Sequence, residues 1–306
     1  MPLLERYQRQ VALLLRIMPI VLQEQDFALK GGTAINLFVR DMPRLSVDID
    51  LTYLPIASRA ESLASIDAAM KRIAVTVQER IAGAHVSLAR LASDNIVTRL
   101  LVRTADAQIK IEVTPVLRGC VFEPEMRAVS PLVEEHFGFA EARVVSFPDL
   151  YAGKSVAALD RQHPRDLFDV RDLLATEGIT PELRQAFVVY LLSHNRPMHE
   201  VLAPTLREIS AEFLGEFEGM TANPVSVEDL YAARTALIEQ MVRQMPDDHR
   251  RFLIGFEEGQ PDWSLLGLPK AAELPAVLWR QQNLNTRSPE QRTALVKKLR
   301  KALAAD

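Results

Sequence analysis

The chain holds one cysteine, Cys120, among 306 residues. No internal disulfide can form, so a small secreted disulfide scaffold is excluded and a cytoplasmic setting is expected. No apolar run reaches membrane-spanning length. The early charges Glu5, Arg6 and Arg9 do not read as a secretory signal. Three familiar chemistries leave no trace: there is no G-x-x-x-x-G-K-[ST] loop, no G-x-S-x-G elbow and no H-E-x-x-H. The six histidines are scattered, and His194 with His199 lacks metal-ligand spacing, so all six read as structural or surface residues. Internal repeats and low-complexity segments are also missing. The net charge of −4 makes no overall case for nucleic acid.

What remains is an ordinary globular composition, 48% hydrophobic and 25% charged, enough for a sizeable core. The length favours two domains. Charge is unevenly placed. From Leu278 to Asp306, seven Lys or Arg stand against Glu290 and Asp306, so this tail carries +5 and the remainder −9. Such a run is either a solvated helix face or an electrostatic footing for an RNA backbone.

Apolar spacing predicts a helix over 3–24, a short strand over 27–29 and a helix over 33–39. A turn follows at 41–43, then a strand over 47–53. A long helix over 58–82 opens with Ser58 as its cap. Strands are predicted over 84–90, 97–103 and 109–113, the last ended by Thr114-Pro115, and a proline-bearing loop runs to about 148. Beyond it the pattern is helical, with helices over 149–161, 165–175, 182–193, 203–217, 226–244, 247–258, 271–283 and 288–303.

The densest chemistry lies near the front. Gly31-Gly32-Thr33 opens a helix whose N–H groups can hold phosphate, with Thr33 as cap and hydroxyl donor. Ser46, Asp48 and Asp50 then alternate with Val47, Ile49 and Leu51, so the polar residues share one strand face. Carboxylates side by side repel unless a cation lies between them. Strand 109–113 buries Ile109, Ile111 and Val113 and presents Lys110 with Glu112. If the two strands are neighbours, Asp48, Asp50 and Glu112 converge as oxygen-only ligands for magnesium. The alternative is a pair of strand aspartates facing water. Arg40 and Arg44 flank these elements, either to neutralise phosphates or to pair with Asp41.

Gly-Gly-Thr followed by Arg44-x-Ser46-x-Asp48-x-Asp50 resembles the signature of the AbiEii/AbiGii toxin family, nucleotidyltransferases of the DNA polymerase β-like superfamily. Lys154 through Val170, with Arg161, Arg165, Asp166 and Asp169, resembles a second family block. There the alanine and leucine, Ala158 and Leu159, are displaced by one position. Lys110-x-Glu112 resembles an intermediate motif, and the likeness spans roughly residues 25–175. The gap from Gly32 to Asp48 is wide for the superfamily and suits this toxin family.

The resemblance implies an α+β fold: a mixed-sheet polymerase β-like nucleotidyltransferase domain over 1–178 and an all-α domain over 179–306. It implies catalytic roles for Asp48, Asp50, Glu112, Lys154 and Asp166, two Mg2+ ions on the first three, and nucleotide contacts from Gly31, Gly32, Thr33, Arg44, Ser46 and Lys154. Lys154 would otherwise extend to solvent along its stem. Asp166 and Asp169 also favour a helix start, with Arg165 a ready i,i+4 partner for Asp169. The implied activity is transfer from a nucleoside triphosphate to RNA, at the tRNA 3′ end, by a toxin answered by a cognate antitoxin. The alternatives are transfer to a small molecule or a protein hydroxyl, or a nucleotide-binding module without catalysis. No membrane partner is implied.

Overall fold

Strict alternation at Ile109, Ile111 and Val113 does build a strand, and those three side chains are buried. The computed structural model describes residues 2–304, so Asp306 of the basic tail lies outside the described residues. Contacts gather into two units, Met1–Ser146 and Phe147–Asp306.

In the first unit the order is α1 (Pro2–Val21), β1 (Phe27–Lys30), α2 (Gly31–Ala34, continued by a π-helical turn over Ile35–Val39), β2 (Ile49–Tyr53), α3 (Arg59–Arg80), β3 (His85–Leu91), β4 (Ile96–Arg103), β5 (Gln108–Arg118), β6 (Glu125–Ala128), α4 (Pro131–Phe137) and β7 (Glu141–Val144). The strands form one mixed sheet in the order β3-β4-β5-β2-β1-β7-β6. β2 and β5 run parallel, as do β1 and β7. The long helices α1 and α3 contact each other, and both contact β5. Their stripes Leu14, Ile17 and Met18, and Ile66, Met70, Ile73 and Val77, are buried, as are Leu100, Val102, Ile109 and Ile111 of the sheet. Each such side chain contributes about 1.5–3 kcal/mol of hydrophobic stabilisation. Ser58 caps α3 through a reciprocal pair with Glu61.

The second unit is helical: α5 (Phe147–Asp160), α6 (Pro164–Thr176), α7 (Pro181–Leu192), α8 (Met198–Leu202), α9 (Ser210–Glu216), α10 (Val227–Leu237, continued by a π-helical turn over Ile238–Arg243), α11 (Asp247–Glu258), α12 (Pro275–Asn285) and α13 (Pro289–Leu303). The α+β class holds, with an all-α C-terminal part. No helix of the described residues is long and apolar enough to cross a membrane.

Several local expectations are corrected. The strand expected from 47 starts at Ile49, and just upstream the Ser46 N–H donates to the Tyr7 hydroxyl (3.4 Å). β5 continues past Thr114-Pro115 to Arg118. Its register against β2 shifts between Leu51 and Tyr53, and such an irregularity tolerates a proline without an N–H. The expected loop up to 148 contains β6, α4 and β7. The two strands have four residues each and charges at alternate positions, which gives little apolar signal. The helix expected over 203–217 is shortened to Ser210–Glu216: Pro204 disfavours helical backbone at Ala203, and a separate short helix, α8, ends just before it at Leu202.

Candidate active site

β1, β2 and β5 lie side by side, and their register aligns Lys30 with Asp50 and Asp50 with Glu112. Residues in register share a sheet face, so the three form a row. Asp48 lies just outside β2 and joins this row through Lys110. The Lys110 Nζ is 3.3 Å from Asp48 Oδ2 and 3.0 Å from Glu112 Oε2. Arg99 donates to the other oxygen, Glu112 Oε1, at 2.7 Å.

The electrostatics follow from this crowding. Burial pushes Asp50 up, the neighbouring Asp48 and Glu112 push it further, and Lys110 and Lys30 oppose them. Burial also pushes Glu112 up, but hydrogen bonds from Arg99 and Lys110 outweigh it and hold the carboxyl below its usual value. Lys110 is raised: burial pulls it down, and its bond to Glu112 and the charges of Asp48 and Asp50 more than compensate. Burial pulls Lys30 down against the charges of Asp50, Cys120 and Glu112.

The three carboxylates expected as metal ligands therefore share a face without closing into a ligand shell. No group of three His, Cys, Asp or Glu among the described residues is so arranged. The physical reason is that both Glu112 oxygens, and one of Asp48, are turned to Arg99 and Lys110. The donor chemistry itself, carboxylate oxygens around a desolvated aspartate, fits a hard divalent cation.

The glycine turn lies directly against this row. Gly31 has φ +78°, and a Cβ there would stand 2.5 Å from Asp50 Oδ2. Glycine is required on both counts. A Cβ on Gly32 would stand 2.7 Å from Arg44 Nη2 and from Ser46 Oγ. Thr33 does not cap the helix: α2 begins at Gly31 after Lys30, and the buried Thr33 places its hydroxyl 3.3 Å from that of Ser46. Arg44 is buried and donates from Nη1 to the Leu45 carbonyl (2.9 Å). Its backbone N–H donates to Asn36 Oδ1 (3.1 Å), and Asn36 Nδ2 donates to the Gly32 carbonyl (2.7 Å). Asp41 accepts from the Leu132 N–H (2.9 Å).

Sequence reasoning missed Lys30, Asn36, Tyr7 and Arg99. A lysine touching the glycine pair, and an asparagine inside an apolar run, were visible signals. Tyr7 and Arg99 are brought in only by tertiary folding.

A second cluster lies within the helical unit. Lys154 on α5 donates to Asp166 Oδ1 (2.7 Å) and stands 3.0 Å from Asp169 Oδ2, both on α6. Arg161 adds contacts of 2.5 and 3.0 Å to the two Asp166 oxygens. Asp166 and Asp169 are at most 1% exposed and Lys154 8%. Burial alone would raise Asp166, but Lys154 and Arg161 hold it well below the usual carboxylate range. Two expectations change here. Lys154 does not extend to solvent. Asp169 is buried against Lys154, while Arg165 Nη2 donates to the Glu216 carbonyl (3.4 Å). His163 caps α6 by accepting the Arg165 N–H (3.1 Å).

The model of the family described as nucleotidyl transferase AbiEii toxin, type IV toxin–antitoxin system, matches residues 12–279. Among solved structures, the chain is similar to MenT4, a nucleotidyltransferase toxin from Mycobacterium tuberculosis, with a TM-score of 0.59 and 16% identity. That match covers 98% of this chain and 92% of the other, and at this identity it shows a shared fold. No curated protein matches.

Proposed function

This chain belongs to the AbiEii family of nucleotidyltransferase toxins, and on that premise we propose that it transfers nucleotide from a nucleoside triphosphate to the 3′ end of an RNA, a tRNA, and so arrests growth. The observation that carries the reading is the single face on which Asp50, Glu112 and Asp48 meet the Gly31 turn. Anion-binding backbone and cation-binding carboxylates in one place suit phosphoryl chemistry.

Asp48, Asp50 and Glu112 would hold Mg2+, two ions in this reading, which supplies charge neutralisation at the reacting phosphate when bound. Gly31 and Gly32 offer N–H groups to the triphosphate, and their missing Cβ atoms keep that approach open. Arg44, Thr33 and Ser46 line the Gly32 side and orient phosphate oxygens. Lys154 is a phosphate-binding cation and Asp166 a positioning residue that fixes it. We assign residues 1–178 to the nucleotidyltransferase domain, which adds α5 and α6 to the first unit, and 179–306 to the helical domain. A cognate antitoxin opposes the activity, and the reaction belongs in the cytoplasm.

The test is incubation with each α-labelled nucleoside triphosphate, Mg2+ and total cellular RNA. Label on one RNA size class, lost in Asp48→Ala/Asp50→Ala, is the expected result. Label on small molecules or protein instead of RNA would overturn the acceptor assignment.

A further inference from the structure

The sheet face that carries the carboxylates does not end at Glu112. Register places Arg99 beside Glu112 with Ala89 beyond it. Leu101 lies beside Lys110 with Ser87 beyond, and Arg103 beside Gln108 with His85 beyond. All nine residues are exposed or half-buried. The intervening residues Leu100, Val102, Ile109 and Ile111 point to the other face and are buried. With strands 4.7–4.9 Å apart and same-face residues repeating every 6.6–6.8 Å, the open face measures about 10 by 13 Å.

Its charge is predominantly positive. Arg99, Arg103 and Lys110 are cationic, and Glu112 is the only acid of the nine. Glu112 is itself bonded to Arg99 and Lys110. Asp106, in the turn joining β4 to β5, faces Arg9 at 3.9 Å. Outward of the catalytic row the platform thus offers cations and neutral groups to whatever lies on it. The face carries no Phe, Tyr or Trp, and His85 at its edge is the one ring among the nine. It is suited to gripping a phosphate backbone more than to stacking bases.

The geometry points to this three-strand platform as the docking surface for the acceptor polynucleotide. This rests on the reading of RNA as acceptor. A single-stranded 3′ segment lies across β3, β4 and β5, its phosphates met by Arg103, Arg99 and Lys110, and its terminus is led toward the row of Glu112 and Asp50. Charge complementarity and continuity with the candidate site favour this occupant over a protein, whose surface would have to supply a matching acidic patch.

The test uses the full chain and a fluorescein-labelled 12-nucleotide single-stranded RNA with a free 3′ hydroxyl. Arg103→Glu and Ser87→Glu are the variants. Both positions are exposed, and Arg103 donates to Gln108 (2.7 Å), so circular dichroism should match the wild type. Anisotropy titrations at several salt concentrations should show salt-dependent binding by the wild type. Arg103→Glu should raise Kd about tenfold and lower the salt slope by roughly 0.7 for each phosphate that the variant fails to neutralise. Ser87→Glu should act in the same direction. In transfer assays the effect should fall on KM for RNA and not on KM for nucleotide. Wild-type binding that both variants retain unchanged, or no RNA binding at all, overturns the platform. RNA labelling with unaltered variants leaves the transfer reading standing without it. RNA bound through Arg103 but never labelled leaves the platform standing and removes the transfer reading.

Discussion

Replacing Asp166 by Asn tests the buried ion cluster most sharply. The carboxylate is fully buried, receives Lys154 at 2.7 Å and is clasped by Arg161. Removing one member of a buried pair leaves the other uncompensated and typically costs about 3–5 kcal/mol. Here Asp169, at 3.0 Å, still faces Lys154, so the cost should lie near the lower end, about 3 kcal/mol. For a unit the size of 147–306 this corresponds to a fall in Tm of about 6–12 °C. The pH sign is definite. Asp166 is depressed in the folded state, so its stabilisation is complete above the unfolded value of about 3.9 and is lost as pH falls through the lower folded value. The gap between wild type and variant should be flat near neutrality and close in strong acid. Urea unfolding at pH 7 and at low pH, with Lys154→Met/Asp166→Asn completing a double-mutant cycle, reads this out. The double variant should be at least as destabilised as Asp166→Asn alone, because Lys154→Met also strips the buried Asp169 of its cation. A single variant within 1 kcal/mol of wild type would refute the reasoning.

Asp50→Asn should show the opposite sign: burial raises this carboxyl above its usual value, so the uncharged amide should raise metal-free stability while abolishing nucleotide transfer. Calorimetry beside the transfer assay checks both. For the same reason, metal affinity should begin to fall with pH above the ordinary carboxylate range, as Asp50 takes up its proton, and metal-free stability should rise over that interval. Gly31→Ala places a Cβ 2.5 Å from Asp50 Oδ2 at φ +78°, so it should cost about 1–3 kcal/mol and disable transfer, whereas the same change at Gly83, where a Cβ meets nothing within 4 Å, should cost only backbone strain. Ser46→Glu, a mimic of phosphorylation beside Thr33 and the Gly32 turn, should abolish binding of a non-hydrolysable nucleotide analogue in isothermal titration. Full activity of that variant would count against the assigned nucleotide contacts.

Long, strongly periodic segments were legible in the sequence. The alternation at Ile109–Val113, the cap at Ser58 and the helical character beyond residue 147 all follow from side-chain period and capping chemistry. What failed was short or locally overridden. β6 and β7 have only four residues each, and Pro115 sits inside β5 where the register shift absorbs it. The carboxylate row was legible because strand faces alternate, but its counter-ions were not. Arg99 reaches Glu112 only through the pairing of β4 with β5, and pairing partners are set by the whole sheet. Likewise the i,i+4 rule offered Arg165 to Asp169, and burial of the α5–α6 contact gave that carboxylate to Lys154.

The most direct measurement of the central claim uses Mn2+ as a paramagnetic stand-in for Mg2+. Titrated in the presence of a non-hydrolysable nucleotide, the wild type should remove the free Mn2+ resonance, and Asp48→Ala/Asp50→Ala should leave it unchanged at the same concentrations. Equal Mn2+ uptake by the correctly folded double variant would show that these carboxylates do not hold the ion, and the account would fall.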